Sequence, residues 1–177
     1  MQSRTGSQRL REWCYGAEDK KGEKRRELDV SSCFGALLQW ILAWWPADEP
    51  RLALALDATT LKKRFTVLVI SVVYRGCAIP VAWKVVGAEE KGSWQPHWLG
   101  LLQHLAGCVP EHWTVIVMSD RGLYAPWLYA KIVSLRWHPF MRINKHGNFR
   151  PQGESPFRSL ASAVPTVGSA WCGEVVD

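Results

Sequence analysis

The stretch Leu52-Ala53-Leu54-Ala55-Leu56-Asp57 most constrains what this chain can fold into. Five apolar residues in a row, then one carboxylate and Ala58-Thr59-Thr60, read as a short strand that is apolar on both faces and ends at the acid. Such a strand belongs in the middle of a sheet covered by helices. An acid at its end is costly to leave unpaired, so Asp57 is either a turn-initiating residue or a cation ligand. A second stretch has the same design: Thr114-Val115-Ile116-Val117-Met118-Ser119 is apolar and runs into Asp120.

The segments between them set the topology. After a polar connection at residues 59–64, residues 65–74 are rich in Val and Ile and read as a second strand. Arg75-Gly76 is a turn, and residues 77–86 read as a third strand with Pro80 at an edge or bulge. Short connections imply an antiparallel meander. Ser93 and Pro96 open a helix whose Trp94, Trp98, Leu101, Leu102 and Leu105 share a face, and Gly107 stops it. Residues 124–135 form another helix with Leu128, Ile132 and Leu135 inward, and residues 137–143 a fifth strand. Upstream, Phe34, Leu37, Leu38, Ile41, Leu42 and Trp45 lie at helical spacing behind a cap at Ser31 or Ser32, with Pro46 as the stop. The expected order is βββαβαβ.

A helical crossover makes the fourth strand parallel to its sheet neighbour. If that neighbour is the first strand, Asp57 and Asp120 emerge side by side at the edge where open α/β sheets bind ligands. Two adjacent carboxylates repel, and a divalent cation between them removes the repulsion. Carboxylate oxygens are hard ligands, which points to Mg²⁺ or Mn²⁺. Two acids leave the coordination sphere open to water and phosphate oxygens, as phosphoryl transfer requires.

Composition narrows the class. A chain of 177 residues that is 47% apolar makes one domain with a real core. A net charge of +6 and a pI near 9.2 favour a polyanionic partner such as nucleic acid. Cys14, Cys33, Cys77, Cys108 and Cys172 are odd in number and contain no CxxC pair, so they are expected to be free and mostly buried thiols of a cytoplasmic protein. The polar first thirty residues are unlike a signal peptide, and the longest apolar run, residues 33–45, is too short for a bilayer. No membrane partner is expected. The five histidines show no metal-ligand spacing, and most of the tryptophans fall at helix-face or strand positions, as core residues do.

The expected organisation is a charged arm over residues 1–30, a packing helix and linker over 31–50, a core over 51–146 and an irregular or strand-rich tail over 147–177. Basic residues suggest where a nucleic-acid backbone would lie. Lys62, Lys63 and Arg64 follow the first acid, with a solvated loop as the plain alternative. Arg142, Lys145, His146 and Arg150 form a second cluster beyond the fifth strand, on the side of the acids.

The words Leu56-Asp57-Ala58-Thr59, Gly76-Cys77-Ala78-Ile79-Pro80-Val81-Ala82-Trp83 and Ser119-Asp120-Arg121-Gly122-Leu123-Tyr124 resemble those of the DDE transposases of bacterial insertion sequences, the IS4-like group. Arg142-Ile143 and Trp171-Cys172-Gly173 fit loosely, and the similarity spans about residues 50–176. The resemblance implies a ribonuclease-H-like fold, an α/β mixed sheet flanked by helices. It implies an Asp-Asp-Glu site for two Mg²⁺ ions, with Asp57 as the first acid and Asp120 as the second. Arg121 would contact phosphate or pair locally. The family nicks double-stranded DNA at element ends and joins it to a target; the expected protein partner is another copy of this chain or a full-length transposase. Its Glu lies in a Tyr-x2-Arg-x3-Glu-x6-Lys motif that this sequence lacks, and Glu154, Glu174 and Asp177 sit in no such pattern. The expectation is a chain truncated at the C-terminus, incomplete in fold and catalytically impaired. Another ribonuclease-H-like nuclease and a non-enzymatic DNA-binding remnant are the alternatives.

Overall fold

The computed structural model describes residues 15–20, 28–90, 93–143 and 146–175. Five strands form one sheet in the order β3-β2-β1-β4-β5. They are β1 Arg51–Leu61, β2 Phe65–Tyr74, β3 Cys77–Gly87, β4 Thr114–Ser119 and β5 His138–Met141. β1, β2 and β3 are an antiparallel meander, β4 runs parallel to β1, and β5 runs parallel to β4. Helix α1 (Phe34–Leu42) precedes the sheet, α2 (Gln95–Ala106) links β3 to β4, and α3 (Pro126–Ser134) links β4 to β5. This is the mixed α/β order expected of a ribonuclease-H-like fold. A small second sheet pairs β6 (Asn148–Phe149) with β7 (Arg158–Ser159) and leads into α4 (Leu160–Ala163). Of the charged arm, residues 1–14 and 21–27, among them Lys21, Lys24, Arg25, Arg26 and Cys14, lie outside the described residues.

The core explains the order. Leu52, Leu54 and Leu56 alternate on one face of β1, joined by Leu68, Ile70 and Val72 of β2 and Val115 and Val117 of β4. Trp98, Leu102 and Leu105 of α2 and Leu128 and Ile132 of α3 are buried in the same cluster. Both crossovers move the chain the same way across the sheet, so right-handed connections put α2 and α3 on one face. α1 packs against α2 and β3, with Phe34 against Trp83 at 4.9 Å between ring centroids.

Four expectations need correction. β1 is not covered on both faces: Ala53, Ala55, Val67, Val69 and Met118 are half-buried, and Ile116 is 39% and Phe140 70% exposed. Alanines made the run apolar without giving it the bulk that a second helical layer grips. Asp57 does not end its strand, because β1 continues to Leu61 as β2 keeps pairing with it, through Leu61↔Phe65. Cys33, Cys77 and Cys172 are exposed and Cys108 is half-buried, all as free thiols. Cys33 precedes α1 and Cys77 opens an edge strand, where burial is not available. Trp94 stands at the start of α2 and is 39% exposed, outside the face it was assigned to.

Ser93 does accept from the Gln95 backbone N–H at 3.1 Å, and Pro96 sits in the first turn of α2. Both outer strands carry a proline. Pro80 lies opposite Ser71 beside a register shift, and Pro139 lies opposite Val117 on β5. No described helix is long and apolar enough to cross a membrane.

The α1 cap is also not where the sequence placed it. Neither Ser31 nor Ser32 caps α1. Asp29 instead accepts from the Ser31 and Ser32 backbone N–H groups at 3.0 and 3.4 Å and from the Ser31 hydroxyl at 2.6 Å, organising the 3₁₀ turn Ser31–Cys33 that precedes the helix. The Ser31 hydroxyl is the main cause holding the Asp29 carboxyl below its ordinary range, with the backbone N–H groups adding to it against a desolvation effect that raises it. A depressed carboxyl stabilises the fold above its unfolded pKa, and that contribution disappears as pH falls through the lowered value. Asp29→Ala should therefore lower Tm near neutrality and leave it close to wild type in strong acid. Circular-dichroism melts at the two extremes check this; an equal loss at both would mean the carboxylate charge plays no part.

Gly35 of α1 lies against His104 near the end of α2 and against Cys108 just past it. A Cβ at that position would lie 2.8 Å from Cys108 Sγ. Burial pushes the Cys108 thiol up, which disfavours its thiolate form. Gly35→Ala should cost about 1–3 kcal/mol by overpacking. Adding Cys108→Ala should recover most of that loss in chemical denaturation, and a merely additive double variant would show the two sites do not meet.

Candidate active site

Register fixes where the two acids go. β1 and β4 pair from Arg51↔Thr114 to Leu56↔Ser119. Leu52, Leu54 and Leu56 alternate into the core beside Val115, Val117 and Ser119. Ala53 and Ala55 therefore share the other face with Ile116 and Met118, and Asp57 and Asp120 follow one step further on that same face. Asp120 keeps an extended backbone, φ −76° and ψ 175°, so the alternation carries through to it. Neighbouring strands are about 4.8 Å apart, which makes the two acids lateral neighbours. β5 adds a third member to the row. Met141 pairs with Ser119, and the Arg142 backbone N–H donates to the Ser119 carbonyl at 3.0 Å. Asp57 on β1, and Asp120 and Arg142 just past the ends of β4 and β5, thus form a row at one edge, and all three are exposed.

Each carboxylate is steadied by a local bond. Thr59 Oγ1 donates to Asp57 Oδ2 at 2.5 Å. On a strand, residues two apart share a face, so Asp-x-Thr puts this hydroxyl beside its acid; that spacing was the readable signal for Thr59, and the sequence reading gave Thr59 no role. Asp120 Oδ1 accepts from the Leu123 backbone N–H at 3.2 Å and caps the 3₁₀ turn Arg121–Leu123. Gly122 lies against this carboxylate, where a Cβ would come to 3.4 Å from Oδ1. Among the described residues, one oxygen of each acid takes no hydrogen bond.

This donor set suits one hard cation with water filling the rest of its sphere. It does not gather a larger ligand set: among the described residues no three His, Cys, Asp or Glu side chains cluster as metal ligands. Glu154 is engaged with Arg158 at 2.6 Å.

The basic candidates divide. Lys62, Lys63 and Arg64 form the exposed tip of the β1–β2 hairpin. Arg121 is exposed as the first residue of its 3₁₀ turn, and Arg142 belongs to the row. Arg150 is half-buried, its guanidinium 5.3 Å above the Phe157 ring. Lys145 lies outside the described residues. Beside the row, Tyr124, Ile143, Phe149, Leu160, Val164 and Trp171 line an apolar cavity of about 600 Å³.

No protein-family profile matches this chain, and no curated protein matches it. Among solved structures it is similar to the catalytic domain of Mos1 mariner transposase. The structure of that domain with raltegravir and manganese is 14% identical over 64% of this chain and 62% of that one, with a TM-score of 0.34. The structure described as the crystal structure of the domain is 12% identical over 68% of this chain and 62% of that one, again with a TM-score of 0.34. This chain spans 62% of the length of either domain.

Proposed function

We propose that this chain is a cytoplasmic DDE-transposase-like protein of the IS4-like insertion-sequence group, directed at double-stranded DNA. The observation that carries the proposal is the register that sets Asp57 and Asp120 side by side, one step past the parallel β1–β4 ladder, on the face left open by the helices. The sequence words around both acids and the sheet order support the same reading.

Asp57 and Asp120 would hold Mg²⁺ or Mn²⁺. When bound, such an ion polarises a phosphoryl oxygen and makes water nucleophilic at neutral pH. The chain's own residues prepare the site. The Thr59 hydroxyl holds the Asp57 carboxylate in one orientation, and the Leu123 N–H does the same for Asp120. Arg142, in the same row, offsets the charge of an incoming phosphate, and Arg121 beside Asp120 adds a second cation.

A second reading is favoured by one observation: no third acid joins the pair among the described residues. On that reading the chain binds DNA and cleaves it feebly or not at all, because the pair holds a single cation where a three-acid site holds two. Mn²⁺ titration followed by calorimetry, with nicking of a supercoiled plasmid in parallel, tests both. Weak binding of one Mn²⁺ with little nicking supports the DNA-binding reading. Brisk nicking that needs Mn²⁺ and Asp57 supports the enzyme. Absence of any Mn²⁺ binding would overturn the shared premise.

A further inference from the structure

The β1–β2 hairpin reaches past the acids. From Asp57 to Lys62 is five residues, roughly 16 Å at about 3.3 Å per residue. Its turn is closed by the Arg64 N–H on the Leu61 carbonyl at 3.0 Å. Lys62 and Lys63 both have positive φ, 50° and 55°. A turn needing two such residues favours Asn-Gly, because most side chains crowd the backbone there. The next turn in the chain has Arg75 at φ 48° and Gly76 at φ 83°, so glycine relieves one of its two positions. The first turn instead keeps two lysines in a conformation they disfavour. An unfavourable backbone retained at an exposed tip points to work done by its side chains.

Three further observations agree on what that work is. Lys62, Lys63 and Arg64 are consecutive cations, all exposed. Among the described residues neither lysine has an ion-pair partner. The tip is braced: the β1–β2 ladder runs unbroken to Leu61↔Phe65, and the Ala88 N–H donates to the Arg64 carbonyl at 2.8 Å, tying the turn to the end of β3.

We propose that this hairpin tip is a rigid cationic finger that grips the phosphate backbone of a duplex at a set distance from Asp57 and Asp120, registering the substrate rather than reacting with it. The inference rests on the duplex-directed reading above. A polyanion backbone is the partner that fits, since closely spaced charges on a stiff tip match evenly spaced phosphates and read no sequence.

The test uses the full chain and a duplex of random sequence, with EDTA present throughout, so that cation binding at the acids plays no part. Wild type and the double variant Lys62→Asn, Lys63→Gly are compared by fluorescence anisotropy over a range of salt concentrations. Asn-Gly suits the turn, so the variant should melt no lower than wild type while losing both charges. The slope of log K against log salt should become shallower by about 0.9 per contact, about 2 for the pair. Lys62→Arg, Lys63→Arg should restore it. Should Asn-Gly alter the fold, Lys62→Gln, Lys63→Gln should give the same loss. An unchanged slope in a folded variant overturns the finger while leaving the acid pair standing. Tighter binding of wild type to phosphatidylserine vesicles than to duplex at equal salt overturns it as well.

Discussion

Leu54→Ala should leave much of the protein unfolded at temperatures where the wild type is fully native. Leu54 is 0% exposed on the central strand, paired with Val72 on one side and Val117 on the other. Truncating it opens a cavity where β1, β2 and β4 meet the helices. Such changes cost about 2–5 kcal/mol, against a total stability of roughly 5–15 kcal/mol for a domain of this kind. Leu61→Ala is the matched control. It removes the same atoms from the same strand, but Leu61 is 53% exposed, and the expected change is within about 0.5 kcal/mol. Urea titration with a fluorescence readout distinguishes them. Similar shifts at both positions would mean that the helical layer does not rest on this row of leucines.

Replacing either acid by its amide should weaken Mn²⁺ binding at least tenfold, about 1.4 kcal/mol or more. Asp57→Asn keeps an acceptor for the Thr59 hydroxyl, and Asp120→Asn keeps one for the Leu123 N–H, so local structure is preserved while the charge is lost. The double variant should be scarcely worse than either single one. One carboxylate alone binds like any surface acid, so the first change already removes the site, and groups acting as a unit lose far less together than the sum of their parts. Without metal, each amide variant should be as stable as wild type or slightly more so, since two like charges no longer face each other. Glu111→Gln, at an exposed acid elsewhere, should change nothing. Small losses that simply add would show that the two carboxylates do not share an ion.

The parts of this molecule legible in its sequence are those governed by pattern and chain connectivity. An apolar run ending in an acid occurred twice with a helix before the second, and a helical crossover implied a parallel fourth strand, adjacent to the first only as a condition; the Leu56↔Ser119 pair meets that condition. The faces of α2 and α3 followed from helical spacing, as Leu102 and Ile132 show. What stayed hidden depended on competition or on bulk. Asp29 organises the turn ahead of α1, where a serine cap was expected, because a carboxylate two residues upstream is the stronger acceptor. Ala53 and Ala55 looked like core because hydropathy does not register size. The Lys62-Lys63 turn carried no glycine or asparagine, so a tight hairpin passed for a longer polar connection. At the candidate site, the side-by-side placement of Asp57 and Asp120 was readable, Thr59 went unassigned, and Arg142 could be placed in the row only once the β4–β5 register was known.

Pro80 and Pro139 occupy the two rims of the sheet, on β3 and β5. Neither can offer an N–H to an approaching strand, so a neighbouring molecule trying to lengthen the sheet meets a missing donor from either direction. A protein that leaves Ile116 and Phe140 in contact with solvent is otherwise well suited to stacking on itself. The two imino acids confine that hazard to face-to-face association and deny it the continuous main-chain ladder from which fibres are built.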